Sequence, residues 1–193
     1  MKYVSILIRP IRLIPAVLIG LSLLTAGCAT YREETCAQFE ERGKEADYGT
    51  RYVYSESDSE TAAANFKHLP RGRSAIVRLY KMNLDPPNIY PCSHLVIRKE
   101  IYLQRTVKKS LMLEEIREFY SADGTLIAAK TERVGDQLRT NGYYAGNTSL
   151  PIPKNAPLGK YRIVSKLVLK TKTRSKSTVL AKTSASFQII PRK

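Results

Sequence analysis

Few residues in this chain are able to do covalent or metal chemistry. There are two histidines, His68 and His94, and three cysteines, Cys28, Cys36 and Cys92. Cys92 and His94 stand two apart in Pro91-Cys92-Ser93-His94. A hydrolase could use such a pair as nucleophile and base, but activation requires the two side chains within hydrogen-bond reach, which a two-residue spacing does not supply. The same two residues offer half of a tetrahedral zinc site, and no C-x₂-C or H-x₃-H pair completes it. Adjacent acids occur at Glu33-Glu34, Glu40-Glu41 and Glu114-Glu115. A strand sends neighbours to opposite faces, so these read as solvated surface and not as acid/base pairs. Neither a G-x-G-x-x-G nor a P-loop motif is present, and nucleotide binding has no support. The expectation is a protein with no cofactor, no metal and no catalytic activity, with a hydrolase on Cys92 and His94 as the competing class.

The N-terminus has a different kind of chemistry. Lys2, Arg9 and Arg12 precede the apolar run Leu13–Leu24, with no acid among them. Those 12 residues would reach about 18 Å as a helix, short of a membrane span, and match the basic and apolar regions of a signal peptide. Leu24-Thr25-Ala26-Gly27-Cys28 then resembles the lipobox of bacterial lipoproteins, with Thr25 where a larger aliphatic is more usual. The resemblance implies cleavage before Cys28 and acylation of its sulfur. Ala29, in place of an aspartate retention signal, implies the outer membrane, with the protein facing the periplasm. An ordinary signal peptide cut near Ala26 or Ala29 is the alternative. In an oxidising compartment the remaining pair, Cys36 and Cys92, is expected as a disulfide, against two independent buried thiols.

Charge is distributed unevenly. Of the formal +15, the signal peptide carries three, leaving +12 on a mature chain of 166 residues. Residues 28–136 hold 17 basic and 17 acidic side chains, whereas 137–193 hold 12 basic and no acidic ones. A one-signed field of this kind attracts anions. The residues expected to bind an anionic partner are Arg162, Lys166, Lys170 and Lys182 on two strands, with Lys172, Arg174 and Lys176 at their turn. An acidic envelope protein, anionic lipid or the cell wall would fit; nucleic acid would satisfy the charge but not the compartment. The alternative is that these cations only keep an exposed hairpin soluble. Twelve tyrosines suggest sugar-stacking platforms, but their alternating positions favour packing.

The elements that must position these residues are mostly strands. At 43% hydrophobic and 25% charged, the chain is too apolar for a disordered tail and too polar for a multi-span membrane protein. Three parts are expected: a signal peptide over 1–27, a tether with a short helix over 28–70 and an all-β domain over 71–193. The tether carries a helix within Tyr31–Ala46, a short strand at Arg51–Tyr54 and an acidic, Ser-rich loop from Ser55 to Thr61. Beyond it, about seven strands are expected: Ser74–Met82, His94–Leu103, Ser110–Tyr120, Thr125–Val134, Leu138–Tyr144, Tyr161–Lys170 and Thr178–Ile189. Asp85-Pro86-Pro87 ends the first, and Ser121-Ala122-Asp123-Gly124 turns the third into the fourth. In the last strand Val179, Ala181, Thr183, Ala185, Phe187 and Ile189 are expected to face inward.

Leu150-Pro151-Ile152-Pro153, then Ala156-Pro157-Leu158-Gly159-Lys160-Tyr161-Arg162-Ile163, resembles the approach to the penultimate strand of immunoglobulin-like or fibronectin-type-III-like bacterial domains. Phe187-Gln188-Ile189 resembles their closing strand. The implied fold is an immunoglobulin-like β-sandwich. Arg73-Ser74-Ala75-Ile76-Val77-Arg78-Leu79-Tyr80 is faintly similar to the first strand of type VI secretion lipoproteins, which implies an envelope secretion or pilus machine as a further role. Sandwiches of this kind host many functions, so none follows from the fold.

Overall fold

The period-two pattern that dominates from Ala75 onward builds two facing sheets. A computed structural model of the chain describes residues 35–106, 111–170 and 177–192. Its elements are α1 (Cys36–Glu45), β1 (Arg51–Ser55), α2 (Glu56–Asn65), β2 (Ala75–Asp85), β3 (Asn88–Ile89), β4 (Ser93–Arg105), β5 (Met112–Ser121), β6 (Leu126–Arg133), β7 (Gly142–Ile152), β8 (Gly159–Lys170) and β9 (Ser177–Ile189). One sheet runs β1-β7-β4-β2 and the other β3-β9-β8-β5-β6. All pairs are antiparallel except β3 with β9. Among the described residues the short strand expected at Arg51–Tyr54 is present as β1, and eight strands, β2–β9, follow where about seven were expected.

The order is that of an immunoglobulin-like sandwich, in which A, B, E and D form one sheet and G, F and C the other. Here β2, β4 and β7 stand as A, B and E, and β9, β8, β5 and β6 as G, F, C and an added C′. The slot beside E, normally filled from the middle of the chain, is taken by β1 from the N-terminal side. Arg51 pairs with Asn147 and Ser55 with Tyr143. The span expected as a tether up to residue 70 therefore contributes an edge strand to the sandwich. Thr50 and Tyr52 are buried inside it.

Three local expectations give way for identifiable reasons. The span expected as a loop from Ser55 to Thr61 is helical from Glu56, because Glu56 and Asp58 lie in the first turn, where the helix dipole favours acids, and Ala62–Ala64 extend the segment. Leu138–Tyr144 is not a strand at its start. The Leu138 and Gln137 amides both donate to the Val134 carbonyl, a helical turn that drives Val134 and Leu138 fully into the core. The strand begins only at Gly142, at φ 151°. In β9 a bulge lies opposite Leu167/Val168, where Ala181 pairs with Leu167 and Val179 with Val168. The extra residue, Leu180, packs on the core, and Val179 is 55% exposed, reversing its expected face.

The interior is layered. One apolar cluster includes Ile101, Leu103, Leu113, Val134, Leu138, Tyr144 and Leu167. The other includes Met82, Leu95, Ile97, Ile152, Ile163, Phe187 and Ile189. Between them, on the same inward-facing rows, come Lys99 of β4, Glu115 of β5 and Ser165 of β8. Lys99 Nζ lies 2.7 Å from Glu115 Oε1, with both side chains fully buried. The same oxygen takes hydroxyl contacts from Tyr80 at 2.6 Å, Ser165 at 2.8 Å and Tyr52 at 3.0 Å. Thr50 donates to Glu115 Oε2 at 2.9 Å, and Thr148 to Thr50 at 2.9 Å. Beside this cluster the buried Arg117 pairs with Glu132 and donates to the Tyr48 carbonyl at 3.0 Å.

Burial alone pushes the Glu115 carboxyl up. The adjacent Lys99 charge and the donated hydrogen bonds outweigh it and hold the group down at about 2. Burial draws Lys99 down to about 8 against the pull of Glu115. Helix α1 is pinned separately. Thr35 and Gln38 form a capping box at its start. Cys36 is disulfide-bonded to Cys92, with Cα atoms 5.2 Å apart, and Phe39 lies against His94 with ring centroids 4.6 Å apart.

Three stability predictions follow from these contacts. Glu115 has a folded pKa below its unfolded value, so its contribution is full above about pH 4.5 and is lost as pH falls toward 2. Urea unfolding across that window should show a loss of about 3 kcal/mol, and Glu115→Gln should flatten it. Lys99→Met alone should cost about 3–5 kcal/mol, whereas Lys99→Met with Glu115→Gln should recover most of that loss. A Glu115→Gln substitution that costs the same in the wild-type and the Lys99→Met backgrounds would show that the pair is not coupled. Removing the disulfide as Cys36→Ser with Cys92→Ser opens a 56-residue separation, and chemical denaturation should report a loss of up to about 4 kcal/mol.

Candidate anion-binding groove

The hairpin of β8 and β9 carries the cations singled out above, but pairing partners divide them. Arg162, Lys166, Lys170 and Lys182 all project from the outer face of the five-stranded sheet. Lys166 and Lys182 are direct cross-strand partners. Such a pair of like charges is unfavourable unless an acid lies near. β5 supplies one, since Lys166 Nζ donates to Glu118 Oε1 at 2.5 Å. Further along, Lys170 pairs with Glu114 at 2.7 Å. Two of the four strand cations are therefore neutralised by carboxylates of the neighbouring strand. Lys172, Arg174 and Lys176 lie outside the described residues, as does Cys28.

Arg162 is held differently. Tyr120 of β5 is its cross-strand partner, and the guanidinium carbon lies over the Tyr120 ring, 5.1 Å from the centroid. The Tyr120 hydroxyl donates to Glu118 Oε2 at 2.7 Å. Lys166, Glu118, Tyr120 and Arg162 thus form a continuous chain of contacts across β5 and β8 that orients the guanidinium. Hydrogen bonds from Lys166 and then Tyr120 hold the Glu118 carboxyl below the usual carboxylate range, with a smaller contribution from the Lys182 charge. The bond to Glu118 raises the Tyr120 phenol.

Lys160, one step of period two before Arg162, shares its face and completes the site. The alternation that marked Arg162 also marks Lys160, but the strand expected from Tyr161 stopped short of it. Among the described residues neither Lys160 nor Arg162 has a carboxylate partner. Both line a groove of about 740 Å³ whose wall is the β5–β6 turn. Ser186 and Gln188 of β9 and Asn88 of β3 line it too, and are cross-strand partners in the same rows. The one acid on the groove is Asp123. Its carboxylate is tied to its own turn by Ser121 and by the Thr125 amide and hydroxyl, at 3.1 and 2.9 Å. The hydroxyl of Ser121 is the leading cause of its lowered pKa.

The other candidate chemistry does not assemble. Cys92 is bonded to Cys36, so the Cys92–His94 pair has no thiol, and the His94 ring packs on Phe39. Among the described residues no group of three His, Cys, Asp or Glu could hold a metal ion. No helix among them is long and apolar enough to cross a membrane.

No protein-family model matches the chain, and no curated protein matches it. Solved structures resemble parts of it. The C-terminal domain of Wzt has 12% identity and a TM-score of 0.44 over 65% of this chain and 82% of that one. The CARDB domain of the PF1109 protein from Pyrococcus furiosus, crystallised with di-metal ions, has 11% identity and a TM-score of 0.36, covering 64% and 95%. The alkylpurine DNA glycosylase AlkC of Pseudomonas fluorescens, bound to DNA, has 11% identity and a TM-score of 0.37, covering 68% of this chain and 33% of that one. At this distance no ligand or activity passes from them to this chain.

The contact chain through Tyr120 is open to a direct check. A pH titration of the tyrosine ring resonances should place the Tyr120 phenol above the ordinary tyrosine value. Glu118→Gln, which removes the carboxylate that raises it, should return it toward that value. An unchanged Tyr120 titration in the variant would break the link to Arg162.

Proposed function

We propose that this chain is a bacterial outer-membrane lipoprotein, acylated at Cys28 and facing the periplasm, whose sandwich is a binding or assembly module and not an enzyme. The observation that carries the reading is the Cys36–Cys92 disulfide in a chain whose segment Leu24-Thr25-Ala26-Gly27-Cys28 resembles a lipobox. Structural disulfides persist in oxidising compartments, and a lipobox is read only on export. Several acyl chains on one cysteine, each buried CH₂ contributing about 0.8 kcal/mol, make such an anchor effectively permanent.

Binding rests on the outer face of β8 and β9. Arg162 and Lys182 supply positive charge there beside the paired Lys166 and Lys170, and Lys172, Arg174 and Lys176 lie between the two strands in sequence. An acidic envelope protein, anionic lipid or cell-wall carboxylates would meet that field. The non-enzymatic reading draws support from Cys92, whose sulfur is engaged and cannot act as a nucleophile.

Anchoring is tested by mass spectrometry of the N-terminal peptide together with fractionation. The expected peptide begins at Cys28 and carries lipid, and Cys28→Ser should move the protein from the outer-membrane fraction to a soluble or uncleaved form. A mature N-terminus at another residue, with Cys28 unmodified, would sink the reading.

A further inference from the structure

We propose that the groove bounded by β8, β9 and the β5–β6 turn is a binding site for a phosphate group carried on a small polar headgroup. This deepens the reading of the outer face as a binding surface and does not depend on the lipid anchor. Three observations carry it. Lys160 and Arg162 are cations without a carboxylate partner among the described residues, and both line the groove, whereas Lys166 and Lys170 of the same strand are engaged by Glu118 and Glu114. Arg162 is oriented before any ligand arrives, because its guanidinium lies on Tyr120, whose hydroxyl is fixed by Glu118. Holding the fork in place reduces the ordering that binding requires, and a guanidinium fork matches the oxygens of a phosphate.

The third observation is the surplus of neutral donors. Besides the two cations, Ser186 brings a hydroxyl, and Gln188 and Asn88 bring amide groups. Five donor groups around one groove exceed what the two oxygens of a carboxylate can accept. A phosphate ester, with three or four oxygens, suits them better. The Asp123 carboxylate, the one opposing charge, is occupied by three hydrogen bonds within its own turn. The groove is large enough for a phosphate with a short hydroxylated carrier such as glycerol. A membrane headgroup and a free phosphate ester share this chemistry, and the experiment separates them.

The full mature chain in neutral detergent is titrated with inorganic phosphate and with glycerol 1-phosphate, following the Arg162 side-chain NH and the Ser186 and Gln188 amides by NMR. Saturable shifts at these resonances are expected. Lys160→Gln with Arg162→Gln should weaken binding by about tenfold or more, with spectra elsewhere unchanged. Arg162→Lys, which keeps the charge and loses the fork, should fall between. Arg51→Gln with Lys81→Gln removes the same charge from the opposite sheet and should leave binding as it was. Shifts that never saturate, or an equal loss in the two double variants, would overturn the proposal.

In phospholipid nanodiscs without added phosphate, the same shifts with phosphatidylglycerol but not with phosphatidylcholine identify a headgroup. Shifts with soluble esters alone identify a free ester; either result supports the site. A chain that binds phosphate with Cys28 unmodified keeps the groove and removes the anchor, and a lipidated chain that binds none does the reverse.

Discussion

The ion pair of Lys99 and Glu115 is the constraint on which the rest of the sandwich depends. It crosses from one sheet to the other at the middle of the core, between two apolar clusters. A charge taken out of water at that depth is tolerated only when its partner and every remaining lone pair are met. Four side chains, from β1, β2, β8 and the loop before β1, meet the carboxylate: Thr50, Tyr52, Tyr80 and Ser165, with Thr148 of β7 bracing Thr50. The strands must therefore sit in one register, since a shift of one residue would send Lys99 or Glu115 to the outer face and leave its partner charged in a dry interior. In antibody domains a disulfide and a tryptophan occupy the corresponding place between the sheets. Here an electrostatic pin stands there, and the disulfide is displaced to the end of the sandwich, where it fastens α1.

That arrangement explains why the N-terminal segment belongs to the fold. Thr50 donates to Glu115, and its backbone is held by Glu132 and Gln137. Tyr52 reaches the same carboxylate from β1. Without residues 50–55 the Glu115 carboxylate would lose two of its donors, and the edge of β7 would be open along Tyr143–Asn147. Segments preceding β2 are therefore part of what makes the core tolerable, as well as a connection to whatever lies before them.

Legibility in the sequence followed the strength of local alternation. β8 was plain because Ile163, Ser165 and Leu167 alternate with Arg162, Lys166 and other outward residues over the whole strand. β7 is hidden beyond Tyr144, since Gly146, Asn147 and Ser149 are turn-type residues that interrupt the apolar alternation. Glu115, adjacent to Glu114, reads in the sequence as one half of a solvated surface pair. Its parity told otherwise: Leu113, Glu115, Arg117 and Phe119 share a face, as do Leu95, Ile97, Lys99, Ile101 and Leu103. What no parity could reveal is which acid meets which cation, because that depends on register between strands up to about fifty residues apart. Hence the sequence alone presents Lys166 and Lys170 as free cations, although β5 beside β8 brings each a carboxylate, and Lys160 shares the outer face of Arg162 from a position just before the alternation becomes plain. The bulge at Leu180 is a two-strand event with no mark in either strand alone.

The placement of β1 has a temporal side. A chain is made from its N-terminus, so Arg51–Ser55 emerges long before its partner Tyr143–Asn147 exists. At roughly 5–20 residues per second, the interval is on the order of 5–20 s, far longer than a hairpin needs to close. For about the first two thirds of that time the acid that Tyr52 and Thr50 serve has not been made, and to its end β1 has no strand to pair with. The first strand synthesised is thus among the last able to take its place, and the fold closes by recalling its own beginning to its end.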